Sequence, residues 1–302
     1  MSAANLQEED KRIPLKDNTL LNESNLFIGF CRNRIVAIDD DQNIIGYASS
    51  WRAPWTESGV ICSTLIVSPK YRDKRVGKEL LNHLECWGRE MKADFLISEV
   101  PDHLNDSVSF IEMNGYKKER HVWQSTLDLP TFDEKINGSI IEEVNIRGIT
   151  FASLSEMDVK TVKTPLYKLF KQTVKDNPAM NDDENSLPSL EDGSNEFLAN
   201  SNIAIIAFSE SRIVGMTILI PKADGELYNE WTGVDKEFRG QKISLALKLK
   251  SIQTAKASRY NKKCTDNDSL NKAMISVNQK LGYISVPGGH FVVSKYIKVK
   301  SD

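Results

Sequence analysis

Two stretches hold the residues best placed for chemistry: VSPKYRDKRVGKELL, starting at Val67, and VDKEFRGQKISLALK, starting at Val234. Each sets an arginine, Arg72 or Arg239, five residues after the valine that ends an apolar run, and then enters a stretch with helical apolar spacing. A helix N-terminus presents unpaired backbone N–H groups and the positive end of a dipole, so a strand-to-helix turn that leaves them open suits phosphate oxygens, and a diphosphate above all. Gly77 and Ser244 are small enough for a ligand to approach the backbone, and Gly240 relaxes the turn before the second helix. Lys74, Arg75, Lys78 and Lys242 bring positive charge to the same places.

The elements around these turns occur twice in the same order, which predicts an internal repeat. Each copy reads as two strands joined by a polar turn (residues 39–41 and 209–211), a third strand ending at Val67 or Val234, and a helix. A further strand and a short helix follow, closing at Asn-Gly-Tyr or Leu-Gly-Tyr. Arg72 to Gly115 and Arg239 to Gly282 both span 43 residues. Val76, Leu80, Leu81 and Leu84 mark one helix face, and Ile243, Leu245, Leu247, Leu249 and Ile252 mark the other helix. Gly115 and Gly282 suit a left-handed helix end. The fold class expected is α/β (α+β), with two units in tandem, each a mixed, mostly antiparallel sheet flanked by helices.

Residues 1–130 form the expected N-terminal unit, 131–148 a linker containing a helix over 132–146, and 149–302 the C-terminal unit. The first 25 residues show no apolar strand, so the first unit is expected to lack its opening strand. Residues 176–195, rich in Asn, Asp, Pro and Ser, read as a loop.

At the two turns the chain resembles the GNAT superfamily, whose acyl-CoA signature runs Arg or Gln, two variable residues, Gly, one variable residue, then Gly or Ala. The matching stretches are Arg72, Asp73, Lys74, Arg75, Val76, Gly77 and Arg239, Gly240, Gln241, Lys242, Ile243, Ser244. Both depart at the central glycine, held by Arg75 and Lys242, and the second ends in serine. The stretch TDNDSLNKAMISVNQKLGY from Thr265 is also similar to a tandem subgroup that includes mycothiol-synthase-like enzymes.

The resemblance implies an acyl-CoA-dependent N-acetyltransferase, with acetyl-CoA as cosubstrate and a small-molecule primary amine as acceptor. It carries acyl-CoA contacts onto Thr232, Gly233 and Val234, onto Leu65, Ile66 and Val67, and onto Asn271 and Asn278. Many members use a tyrosine on the last helix as the acid for the leaving thiolate, and the matching positions here are Ile111 and Asn278. Glu230 lies two residues before Thr232 on one strand, hence on the same side of it by strand alternation, and is the candidate base. The first copy has Ser63 and Thr64 there, so catalysis is expected of the second copy. A non-catalytic acyl-CoA-binding or interaction protein is the alternative, and a nucleotide-binding regulator a third possibility.

A net charge of −3, from 39 Lys+Arg against 42 Asp+Glu, gives no general attraction to nucleic acid or anionic membrane. Neither Cys31, Cys62, Cys86 and Cys264 nor the dispersed histidines have metal-site spacing, so no metal is expected and the thiols read as reduced packing residues. The sequence MSAANLQEEDKR and the lack of a long apolar run point to a cytoplasmic protein, as a monomer or homodimer. The tryptophans read as core residues, and Lys248, Lys250 and Lys256 as a solvated helix face.

Overall fold

The computed structural model describes residues 15–17, 31–53, 56–133, 135, 138–178, 203–222 and 225–298. The chain divides into two compact units interleaved in sequence: residues 1–99, 115–117 and 293–302 form one, and 100–114 and 118–292 the other.

In the first unit, β1 (Leu15–Asp17), β2 (Cys31–Ile38), β3 (Ile44–Arg52), β4 (Val60–Val67) and β5 (Phe95–Pro101) lie side by side in that order. The expected absence of an opening strand is corrected here: β1 pairs antiparallel with β2, a three-residue strand of Leu-Lys-Asp too short and too polar to show an alternating pattern. Helix α1 (Val76–Glu90) connects β4 to β5, which pair in parallel, as a helical crossover requires. Its Val76, Leu80, Leu81 and Leu84 are all buried. The helix lies so close to β3 that a Cβ on Gly46 would meet Leu80 Cδ1 at 2.8 Å. The end of the chain returns to this unit, where Ile297 N–H donates to the Asp94 carbonyl.

The second unit contains α2 (Asn105–Met113), β6 (Lys117–Asp128), α3 (Gly138–Ile146), β7 (Ile149–Ser153), α4 (Val159–Lys175), β8 (Ile203–Ser209), β9 (Arg212–Pro221) and β10 (Glu226–Val234). It continues through α5 (Ile243–Ala257), β11 (Lys262–Asp268), α6 (Lys272–Lys280), β12 (Ile284–Ser285) and the start of β13 (His290–Tyr296). Its strands follow the order β6-β11-β10-β9-β8-β7, antiparallel except for β10 and β11. The connecting helix expected over residues 132–146 is observed from Gly138 onward.

Strand alternation sorts the core of this unit onto two faces. Ala204, Ile206, Met216 and Ile218 meet Leu166 and Leu169 of α4. Ile205, Ala207, Val214 and Val234 meet Ile243, Ala246 and Leu247 of α5, along with Val144 of α3. Helix α5 is buried on most of its circumference, which explains why its apolar residues do not follow a simple one-face spacing. No described helix is long and apolar enough to cross a membrane.

Candidate functional site

Strands β10 and β11 pair in parallel at Glu226, Leu227 and Tyr228, and the pairing stops at Tyr228 opposite Cys264. Beyond that point a cavity of about 660 Å3 opens between them. Residues 229–234 border it on one side and residues 265–268 on the other, with the turn before α5 at its end. That volume is in the range of small-molecule sites.

A bulge shapes the cavity wall. In the β9–β10 ladder Asn229 faces Leu219 and Trp231 faces Ile218, so Glu230 has no partner opposite. Such an extra residue disrupts the ladder and re-aims its neighbours. Asn229 Nδ2 accordingly donates to Thr232 Oγ1 at 3.1 Å, and Thr232 and Thr217 hydroxyls meet at 2.8 Å. Asn229 and Thr232 share a face although three residues apart, so the alternation that put Glu230 beside Thr232 is broken; this corrects the sequence expectation. Glu230 still borders the cavity, and also the adjoining hollow lined by Tyr228, Asp266, Glu226, Lys222, Cys264 and Gln124. Partial burial pushes its carboxyl above the usual range, with Lys222 pulling down and Asp266 pushing up. Tyr228 donates to Asp266 Oδ2 at 2.9 Å, and its phenol is raised chiefly by burial.

The turn before α5 is held by the protein without closing the helix end. Arg239 Nε donates to the Val234 carbonyl at 3.1 Å. Gly240 and Lys242 both have positive φ, +76° and +63°, and the Lys242 side chain does not cap α5. The first backbone bond of α5 is Ala246 N–H to the Lys242 carbonyl, which leaves the amides of Ile243, Ser244 and Leu245 at the exposed end. Two ion pairs hold the basic residues here: Arg239 with Asp176 at 2.6 Å and Lys242 with Glu143 at 2.7 Å. Lys242 holds the Glu143 carboxyl below its ordinary value.

Of the residues expected from sequence in the second copy, Glu230, Thr232, Gly233, Val234, Arg239, Gly240, Lys242, Ile243, Ser244 and Asn271 border this cavity, whereas Gln241 and Asn278 do not. Asn271 also caps α6, accepting from Met274 N–H at 3.2 Å. Asn278 is buried, its amide bonded to Asn267 and Lys248 at 2.8 and 2.7 Å. Lys248 is corrected: it is 1% exposed, not part of a solvated face. Trp231 lines the cavity while its Nε1 donates to Thr173 Oγ1. Trp55, and the part of the expected loop beyond Pro178, lie outside the described residues.

Sequence reading missed Thr173, Thr265, Asp266 and the Arg120–Asp268 ion pair at the cavity. No spacing rule marks where two parallel strands part. Lys248 did carry a signal: Ser244 and Leu245 before it, and Ser251 and Ile252 after it, occupy its own helix face.

The first unit repeats the turn. Asp73 and Arg75 have φ of +60° and +64°, and Arg75 leaves α1 without a side-chain cap. Arg72, Lys74, Val76, Gly77 and Lys78 complete that turn, and Leu65, Ile66 and Val67 end β4. None of these residues lines either cavity described above. The β3–β4 ladder runs from Cys62 to Val67 with no bulge. Ser63, nine residues before Arg72 as Glu230 is before Arg239, joins its hydroxyl to Ser98 Oγ at 2.6 Å, and Ser98 Oγ also donates to the Ser63 carbonyl. At the same level β10 and β11 are joined by one such bond, from Thr265 Oγ1 to the Asn229 carbonyl at 3.2 Å, although their backbone pairing has ended at Tyr228.

Comparison with known families finds the acetyltransferase (GNAT) family model matching twice, at residues 3–116 and 166–283. The chain belongs to the GNAT family. Similar solved structures include a GCN5-related N-acetyltransferase from Sphaerobacter thermophilus, 15% identical, covering 89% of this chain and 82% of that one with a TM-score of 0.64. Another is a tandem GNAT protein from the clavulanic acid biosynthesis pathway, 15% identical, covering 90% and 85% with a TM-score of 0.62. At these identities the likeness establishes the fold. A comparison with curated proteins finds no match. The paired family matches and the two repeated α/β regions make this a tandem GNAT protein, and hence an acyl-CoA-dependent acyltransferase by family.

Proposed function

We propose that the second unit transfers an acetyl group from acetyl-CoA to a primary amine by direct attack, with no covalent enzyme intermediate. The observation that carries this is the continuous path from the open amides of α5 into the gap between β10 and β11, ending at Glu230. The residues fit an acyl-CoA. Ile243 and Ser244 N–H groups, with Arg239 and Lys242, suit the diphosphate, and Thr232, Gly233 and Val234 suit the pantetheine arm. Holding donor and amine together supplies much of the rate.

Glu230 is proposed as the base. Its raised carboxyl is better matched to an ammonium proton than an ordinary glutamate. The unbulged β4 of the first unit, with Ser63 where the second unit has Glu230, argues for a structural role there. Residues 1–130, 131–148 and 149–302 remain the proposed sequence boundaries of the two family copies and their linker.

The test mixes the protein with acetyl-CoA and a panel of small amines and follows free thiol. Amine-dependent release that falls in E230Q supports the proposal. Binding of acetyl-CoA without release for any amine would instead favour a non-catalytic acyl-CoA-binding protein.

A further inference from the structure

We infer that Lys248 is the group that delivers a proton to the sulfur of the departing coenzyme A. This rests on the acyl-CoA reading of the cavity above.

The lysine is placed by an unusual set of bonds. Its side chain borders the cavity although the residue is 1% exposed, and its Nζ donates to Asn278 Oδ1 at 2.7 Å. The Asn278 orientation is fixed from further back. Asn267 Nδ2 donates to the Trp123 carbonyl, which can only accept, and to Ser125 Oγ at 2.8 Å. Asn267 Oδ1 must therefore accept from Asn278 Nδ2, at 2.8 Å, and this turns Asn278 Oδ1 toward the lysine. Asn267 itself lines the cavity, so the chain of amides holds an amine against its wall.

Among the described residues no carboxylate pairs with that amine. From β11 it faces Lys263, a like charge, which is fully buried and donates to Ser251 Oγ. From the segment after α6 it faces the Tyr283 ring, 5.3 Å from Nζ. The cavity carboxylates have other partners: Asp268 pairs with Arg120, and Asp266 accepts from Tyr228. Glu230 sits on the β10 bulge. Burial pulls Lys248 down to about 7. An acid near 7 gives its proton readily to a thiolate whose ordinary value is about 8.5.

The step balances without a further reagent. The acceptor nitrogen bonds to the acyl carbon, the C–S bond breaks with its electron pair on sulfur, and one Nζ proton moves to that sulfur. Lys248 is left neutral and takes a proton from solvent after the products leave. The attacking ammonium gives one proton through Glu230 to solvent before attack, and the nitrogen gives up a second to solvent as the amide forms, which matches the proton that Lys248 takes back and leaves one released per turnover.

The inference makes Lys248 a catalytic residue by setting its amine within reach of the sulfur of a coenzyme A bound in the cavity, and that closeness can be measured without an acceptor. The thiol of bound coenzyme A is titrated by its ultraviolet thiolate absorbance in wild type, K248M, K248Q and K248R. A permanent charge in K248R should hold the thiol lower than in K248M by about one unit or more, with K248Q close to K248M. Circular dichroism checks folding, and any one folded variant compared with wild type is enough. Identical thiol titration in all proteins that bind coenzyme A overturns the role of Lys248 while leaving the acyl-CoA site intact. Absence of coenzyme A binding to wild type overturns the site and this inference together.

Discussion

Replacing Lys248 by Met should flatten the dependence of stability on pH, by an amount that follows from the burial of the amine. The ordinary value for lysine is 10.5, and burial brings Lys248 to about 7. Between these values the unfolded chain binds a proton that the folded chain does not, so stability rises with pH, by up to about 1.4 kcal/mol per unit. Below about 7 both states are protonated and the full penalty of burying charge is present. Raising the pH from about 7 to about 9 should therefore stabilise the wild type by about 2 kcal/mol through this group alone. Lys263 is depressed too, by burial first and then by Lys248, and acts with the same sign in both proteins. The difference between wild type and K248M thus reports Lys248 together with the part of the Lys263 depression that Lys248 causes, and both flatten the slope when Lys248 is removed. The substitution also strands Asn278 Oδ1, at a cost of about 1–3 kcal/mol, so the slope discriminates and the stability at a single pH does not. Urea denaturation at a series of pH values gives the slopes. Parallel curves for wild type and K248M across this window would refute the reasoning.

Three further outcomes follow from the site and its turns. E230Q should cut amine-dependent thiol release by about 100-fold or more at neutral pH with acetyl-CoA affinity unchanged, as steady-state kinetics and calorimetry will report. Because burial raises Glu230, wild-type activity should fall on the acid side at a pH above the usual glutamate range, where the base becomes protonated. Gly233→Ala should destabilise by about 1–3 kcal/mol in denaturant, since the new Cβ would lie 2.6 Å from Thr173 Oγ1, and T173A should recover part of the loss. Arg75→Gly should stabilise by about 1 kcal/mol by thermal melting, because Arg75 holds a left-handed φ of +64° that glycine adopts without strain.

The repeat, the strand-to-helix turns and the glycine helix ends at Gly115 and Gly282 were legible because each depends on local chemistry: apolar periodicity, or a φ, +84° and +81°, that glycine tolerates. The turn residues Arg239, Gly240, Lys242, Ile243 and Ser244 came together at the cavity for the same reason. The bulge at Glu230 was not legible, since it arises from how β9 and β10 pair across the sheet. It broke the alternation on which the expected placement of Glu230 beside Thr232 rested. Lys248 was misread because a charged residue on a helix usually faces water, whereas α5 is enclosed by β11, α6 and the sheet. The Asn278 amide serves the lysine and Asn267.

The central claim is that the amides opening α5 bind the diphosphate of a coenzyme A thioester in the second unit. Calorimetric titration of acetyl-CoA into wild type, Ser244→Asp and Gly77→Asp tests it most directly. An aspartate in the first turn is compatible with the helix but places a carboxylate where the phosphates would lie. The account predicts one binding event per chain, weakened at least about tenfold by S244D and unchanged by G77D. No heat with the wild type, or a loss of binding in G77D but not in S244D, would contradict it.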